Sequence, residues 1–398
     1  MIRYFYKIQK YLIKLSFVNM KKGVPMATKK NMNINTNIDK IIVIDSGKNT
    51  VNALCFDQNF SLIGQLAFPS ITQKKRSFRD IDSSSELQFQ VEYKTSKYLV
   101  GEGILSDFNF ETSKNTLHHK ICVDTAIAYF VGNTNEKIHL VVGYPSSDYT
   151  NPEQRQEYID LLKEEDVTMI VDGEEKSFSI VSIDVKPEGI AMKPRVEQVP
   201  GEEVKVIDIG GENINYRHYD EKGNTCQSES LDQLGVNHLE SFIKTKLRKY
   251  VNVKDVDLNS INYLKAVSDG YIKEVRDDDI SDFKNSREFM NETVGEFVDL
   301  IIDRLAAKNV SLNRRGTKIL FTGGGSVLLQ PYLEETLDNS IDYLVFSKTA
   351  YWDNCISFAI KDVGDRYKKA PGDLKENMQL AQMVASKILK EANHLAIS

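Results

Sequence analysis

The stretch 204–219, VKVIDIGGENINYRHY, joins an apolar, β-branched run (Val204, Val206, Ile207, Ile209) to an alternating one (Ile214, Tyr216, His218) across Gly210-Gly211. β-Branched residues suit a pleated, buried surface, and a glycine pair between two such runs predicts a tight hairpin. Glycine lets backbone N–H groups approach a ligand closely. Asp208 stands where the first strand enters the turn. A carboxylate beside a bare backbone nest suits a metal-bound phosphate group.

A second copy lies upstream. Residues 40–57, KIIVIDSGKNTVNALCFD, give an apolar strand ending in Asp45, a turn at Gly47 and a returning strand through Val51, Ala53 and Cys55. Taken singly, either hairpin is also an ordinary β-turn, which uses the same residues. Two copies at domain-scale spacing predict a duplicated domain with a cleft between its halves and the two acids face to face. A third motif, 318–328 (KILFTGGGSVL), runs a buried strand (Ile319, Leu320, Phe321) into Gly323-Gly324-Gly325. Ser326 is the expected N-cap of a helix over 327–337. Three glycines at a strand-to-helix turn make either a flat backbone surface for a planar group such as a purine or a flexible turn.

In this order and spacing the motifs resemble those of the actin-like ATPase superfamily, which includes actin, the sugar kinases and the heat-shock chaperone ATPases. The resemblance spans residues 40–367. Asp45-Ser-Gly looks like the first phosphate loop, Asp208-Ile-Gly-Gly the second, Gly323-Gly-Gly the adenosine motif, and Val141-Val-Gly-Tyr-Pro145 the first connecting segment. Within the superfamily the sequence is most similar to the bacterial plasmid-partition actins of the ParM/StbA family. Val185-Lys-Pro-Glu-Gly-Ile resembles the short segment that carries that family's catalytic glutamate, here Glu188. Leu234-Gly-Val-Asn-His-Leu resembles the segment that opens a helix after the second phosphate hairpin.

The resemblance implies an α/β, actin-like ATPase fold: two lobes, each with a ribonuclease H-like mixed sheet, and a nucleotide cleft between them. The chain then divides into a basic N-terminal extension (1–39), a first actin-like domain (40–203, with a small inserted subdomain over about 61–110), a second (204–370, with a helical subdomain over about 240–316) and a C-terminal amphipathic helix (371–398). Ser46, Gly47, Lys48 and Asn49 would bind phosphate from one side, and Gly210, Gly211, Glu212 and Asn213 from the other. Gly235, Asn237, Gly323, Gly324, Gly325 and Ser326 would hold the nucleoside. Asp45 and Asp208 would hold Mg²⁺, with Glu188 and Asp208 as catalytic residues. Two departures stand out. Glu212, Asn213 and Asn215 replace the small and hydroxyl residues and the aspartate that usually continue the second loop, so Glu212 is expected to point away from the phosphates or to serve the metal through water. Lys48 replaces a small polar residue and is placed to contact phosphate directly.

The implied function is that of a cytoplasmic, filament-forming ATPase (ATP or GTP, with Mg²⁺) that segregates plasmid DNA. Its partners would be copies of itself and an adaptor protein bound to centromere-like plasmid DNA, without direct sequence-specific DNA contact. A sugar-type kinase of the same superfamily is the alternative, though no general-base aspartate motif for an acceptor is visible. A non-hydrolysing cytoskeletal scaffold is another, kept open by Glu212 and Asn213.

Composition fits these readings. A chain of 398 residues, 41% hydrophobic, can bury the cores of two or three domains. Cys55, Cys122, Cys226 and Cys355 are scattered without a C-x-x-C pair, as for reduced thiols of a cytosolic protein, and the six histidines lack metal-ligand spacing. No G-x-x-x-x-G-K-[ST] or strand-borne G-x-G-x-x-G is present, which argues against a P-loop ATPase or a Rossmann dehydrogenase. Net charge is −6. The first 40 residues hold nine basic side chains against Asp39 alone, +8, leaving −14 for an acidic body that argues against extensive direct DNA binding. Residues 1–17 read as a disordered extension or a membrane-surface anchor, since their apolar run is too short to span a bilayer. In 373–395, Leu374, Met378, Ala381, Ala385 and Ile388 form one helical stripe, for docking on its own domain or on a neighbour.

Overall fold

An unbroken apolar run such as Ile41-Ile42-Val43-Ile44 is what a strand buried on both faces requires, and in the computed structural model all four side chains are fully buried at the heart of the first sheet. The structure describes residues 37–78, 85–104, 114–145, 149–188, 202–250, 257–275, 280, 283, 285–310, 312, 317–337 and 344–395, all within one compact unit from Asn37 to Ser398. Residues 1–36 of the basic extension, the polar segment 79–84 and the crossing at Pro194 and Pro200-Gly201 lie outside the described residues.

Two mixed sheets carry the fold. The first contains β1 (Lys40–Ser46), β2 (Thr50–Phe56), β3 (Leu62–Pro69), β4 (Thr72–Lys75), β5 (Gln88–Tyr93), β6 (Ser96–Gly101), β7 (Glu136–Tyr144), β8 (Val167–Val171) and β9 (Glu174–Pro187), in the order β3-β2-β1-β7-β9-β8-β5-β6-β4. The second contains β10 (Glu203–Ile209), β11 (Asn213–Tyr219), β12 (Thr225–Asp232), β13 (Thr317–Thr322) and β14 (Leu344–Phe346), in the order β12-β11-β10-β13-β14. One plan is repeated: a three-strand antiparallel meander, then two parallel strands. In the first sheet these are β3-β2-β1 with β7 and β9, and in the second β12-β11-β10 with β13 and β14. This is the two-lobed α/β architecture expected from the sequence. β1 and β10 hold equivalent places, so Asp45 and Asp208 come from equivalent strands.

The helices among the described residues are α1 (Leu117–Phe130), α2 (Pro152–Leu162), α3 (Val236–Tyr250), α4 (Tyr263–Asp269), α5 (Ser286–Ala307), α6 (Gly324–Thr336), α7 (Asp353–Lys369) and α8 (Leu374–Ala392). Alternation along β1 explains how two layers meet it. Ile42 and Ile44 face a core shared with Ile121, Cys122 and Ala126 of α1, while Ile41 and Val43 face Phe358 and Ala359 of α7 and Ala381 and Ile388 of α8. The chain thus returns to the first sheet after finishing the second, and of the expected stripe on α8, Ala381 and Ile388 are buried there while Leu374 and Met378 stay exposed. In the second lobe, Ile207, Ile209, Ile214 and Tyr216 pack with α3, α4, α5 and α6.

The boundaries differ from expectation in two informative places. The helix after the triple glycine starts at Gly324 with Gly323 as its N-cap, so Ser326 lies in the first turn and donates from Oγ to Gly323 O at 2.8 Å. β12 escapes hydrophobic-pattern reading because it is an edge strand whose side chains are mostly exposed and polar.

Candidate functional site

Both glycine hairpins close in the same way. Gly47 N–H donates to Thr50 O, and Gly210 N–H to Asn213 O, each at 3.0 Å. Asp45 lies opposite Asn52 in its ladder and Asp208 opposite Asn215. The two acids leave their strands toward a common region, where the charge of Asp45 acts on Asp208 and that of Glu188 acts on both. Burial, followed by the charges of Asp45 and Glu188, pushes the Asp208 carboxyl up to about 7. Burial and the Glu188 charge push Asp45 up to about 6, against relief from Lys114 and a hydrogen bond from Asn354. Like charges crowded out of water disfavour ionisation in this way. One carboxylate from each lobe and the glutamate at the end of β9 therefore form a single cluster.

α7 supplies the connector. Asn354 donates from Nδ2 to Asp45 Oδ2 at 3.0 Å and also hydrogen-bonds Asp208. Its neighbour Asp353 is buried and accepts from Thr322 Oγ1 at 2.8 Å and Thr349 Oγ1 at 2.6 Å. These bonds tie the start of α7 to the end of β13, so its first turn, where helix N–H groups are unpaired and partly positive, sits beside the carboxylates.

Glu188 is held from two sides. Its N–H donates to Tyr144 O at 2.9 Å, and its carboxylate is ion-paired with the buried Lys114, whose Nζ also donates to Gly143 O at 3.3 Å. Ser46 sits above a buried relay: its Oγ is 3.3 Å from His119 Nδ1, and His119 Nε2 is 2.8 Å from Tyr158 OH. Burial, followed by the charges of Lys114 and His118, holds His119 well below the usual histidine range, so its ring is neutral at physiological pH. Lys48 is half-buried at the first hairpin tip.

The other expected site residues lie where the hairpins meet α3 and α6. Asn49 and Asn237 exchange amide hydrogen bonds, Asn237 Nδ2 donating to Asn49 Oδ1 at 2.7 Å and Asn49 Nδ2 to Asn237 Oδ1. Gly211 makes room for them: a Cβ there would stand 2.7 Å from the Asn49 amide. The carbonyls of the second hairpin accept the first N–H groups of α3, with Gly235 N to Glu212 O at 3.1 Å, Val236 N to Gly210 O at 3.1 Å and Asn237 N to Gly211 O at 2.9 Å. Glu212 is drawn sideways onto His238, Oε1 to Nε2 at 3.0 Å, and Asn213 reaches Ser230 across the ladder at 3.5 Å. Gly323, at φ +81°, lies against the Asp208 carboxylate, a Cβ on Gly325 would stand 2.5 Å from Ile209 Cγ2, and Gly324 faces the Tyr351 ring. The triple glycine is therefore a helix start pressed onto the second hairpin, with Ser326 buried behind it.

Sequence reasoning missed Lys114, Asn354, Asp353 and the His119–Tyr158 relay. An isolated lysine or asparagine carries no periodic signal, and these side chains reach the site only through tertiary packing.

Mg²⁺ takes oxygen ligands, usually one or two carboxylates together with substrate phosphates. Asp45 and Asp208 fit that donor set, and a divalent cation would relieve the repulsion that raises both. Among the described residues no group of three or more His, Cys, Asp or Glu forms a closed metal cage.

Residues 44–190 match the family described as actin like proteins N terminal domain. No protein of curated function matches the sequence. Among solved structures, an archaeal actin homologue in complex with ADP superposes with a TM-score of 0.60 at 16% identity, covering 82% of this chain and 99% of that one. A 15-stranded ParM filament from Clostridium botulinum gives 0.62 at 19% identity, covering 81% and 98%. The Alp12 filament structure gives 0.56 at 22% identity, covering 83% and 100%. Residues 44–190 are thus similar to an actin-like N-terminal domain, and the described residues share the fold of these actin homologues.

Proposed function

We propose that this protein is a nucleotide-dependent, filament-forming ATPase that segregates plasmid DNA through an adaptor protein. The carboxylate cluster of Asp45, Asp208 and Glu188, drawn from both lobes and bridged by Asn354, is the observation that carries the reading. A purine triphosphate, ATP or GTP, would lie with its phosphates between the Gly47 and Gly210 hairpins. Asp45 and Asp208 would hold Mg²⁺, which neutralises charge on the phosphates when bound. Glu188 orients the attacking water and accepts its proton, while the bond to the bridging β,γ-oxygen breaks to release the diphosphate and inorganic phosphate. Relatives of this fold solved as filaments support self-assembly. Among the described residues no helix is long and apolar enough to cross a membrane.

The test is phosphate release by the full chain with Mg²⁺ and ATP or GTP, read beside concentration-dependent light scattering. Turnover without any acceptor, with Glu188→Gln losing turnover while prolonging the scattering signal, is the expected result. Failure to bind either triphosphate overturns the proposal. Turnover only with a small-molecule hydroxyl acceptor identifies a kinase, and assembly without turnover a scaffold.

A further inference from the structure

We infer that Lys114 is a positioning residue of this centre, holding the Glu188 carboxylate in place and supplying the positive charge among its acids. The inference rests on reading the cluster as a hydrolytic site.

Lys114 precedes α1 and is only 8% exposed. Its ammonium is ion-paired with Glu188 and donates to Gly143 O, the carbonyl at the end of β7. A buried ammonium must be paired somewhere, and that alone would be a structural role. Three observations point further. Its partner is the one glutamate at the cluster, on a side chain with three rotatable bonds whose freedom would otherwise cost placement of the attacking water. Its charge acts on Asp45, where Glu188 is the opposing charge and Asn354 the hydrogen-bond donor. The charges acting on Asp208 are the carboxylates Asp45, Glu188 and Asp353, with Asn354 again the donor. Lys114 is thus the cation that balances a cluster otherwise made of acids. The same charge presses on His119, which links the site to Ser46 of the first hairpin. Gly143 leaves little room beside this pair: a Cβ there would clash with the Phe358 ring at 2.8 Å and touch Glu188 Cγ in ordinary contact at 3.4 Å.

The experiment uses the full chain as Lys114→Met, Lys114→Arg, Glu188→Gln and the Lys114→Met/Glu188→Gln double variant. Single-turnover phosphate release is measured beside affinity for a fluorescent ATP analogue, with thermal unfolding to confirm the fold. Lys114→Met is expected to slow release by about 100-fold, the scale of a misplaced reacting group. Measured at pH 8, where the cluster's carboxyls are ionised, its nucleotide affinity should stay within about twofold, the pattern of a lost transition-state interaction. Lys114→Arg should recover part of the rate, and Lys114→Met should cost nothing more in the Glu188→Gln background. Should Lys114→Met not fold, Lys114→Gln is read by the same criteria. Unchanged release, an affinity that falls together with the rate, or an additive loss in the double variant overturns the inference. If the unmodified chain releases phosphate and Lys114→Met matches it, only the role of Lys114 falls. An unmodified chain that binds no triphosphate and releases no phosphate removes the hydrolytic reading, and the role of Lys114 with it.

Discussion

Asn354 and Asp45 are 309 residues apart in sequence and joined by a 3.0 Å hydrogen bond from amide nitrogen to carboxylate oxygen. The same amide serves Asp208, so one neutral side chain from α7 stabilises the ionised forms of two acids on different lobes. Removing it in Asn354→Ala should move both carboxyls above their present values of about 6 and about 7. Protonated carboxyls are poor magnesium ligands, so Mg²⁺-dependent affinity for a nucleotide should weaken in the variant as pH falls from 8 to 6. The unmodified chain should hold its affinity further into that range. Titrations across this window check it. Parallel curves for the two proteins would count against the bridging role.

The raised acids also shape stability. Asp208 titrates near 7 in the fold against an ordinary value of 3.8, so the folded chain binds a proton more tightly than the unfolded one between those limits. Stability from this group is therefore full below about pH 4 and is lost as pH rises through 7. Asp208→Asn, which cannot ionise, should melt several degrees above the unmodified chain at pH 8 without metal, and the gap should close toward pH 4. Thermal scans at several pH values decide it, and an equal gap at every pH would contradict the repulsion.

Asn49 and Asn237 make a reciprocal amide pair between the first hairpin and the start of α3. Each alanine variant leaves the partner's amide with a lost bond, at a cost of about 1 kcal/mol. Because both removals break the same contact, the double variant should cost little more than either single one, giving a coupling of about 1 kcal/mol in a urea-melt cycle. Simple additivity would mean the pair does not join the lobes in solution.

Much of this was legible in the sequence, for identifiable reasons. The apolar run before Asp45 and the β-branched run before Asp208 announce the two central strands, because a strand buried on both faces leaves no other composition. Equivalent acids followed by glycine announce the repeated hairpin. The triple glycine was legible as a flat backbone surface or a flexible turn, but not as an approach to Asp208, since that partner lies on another strand. Glu212 was an anomaly in sequence and becomes ordinary in the fold, where His238 in the first turn of α3 lies 3.0 Å from its carboxylate. Lys114 and Asn354 were invisible, because each depends on where α1 and α7 begin relative to β1, a matter of packing rather than periodicity.

Gly323 and Gly173 allow the approach to Asp208 to be isolated. Both have positive φ, +81° and +82°, which strains any side chain, and Gly323 adds a ψ of 157°, a combination open almost to glycine alone, at a cost of about 1–3 kcal/mol. Their surroundings differ completely. A Cβ at Gly173, in the turn between β8 and β9, meets no atom within 4 Å, whereas one at Gly323 falls on the Asp208 carboxylate and the Ile209 carbonyl. Both alanine variants should lose stability from backbone strain, and Gly323→Ala should lose more, because its backbone region is the more restricted and because Asp208 or the start of α6 must shift. Only Gly323→Ala should weaken magnesium–nucleotide binding, since only it displaces a carboxylate of the cluster. Calorimetric titration of both variants, beside their urea melts, separates the two effects: weakened binding in Gly173→Ala, or intact binding in Gly323→Ala, would show that Asp208 does not act where the fold places it.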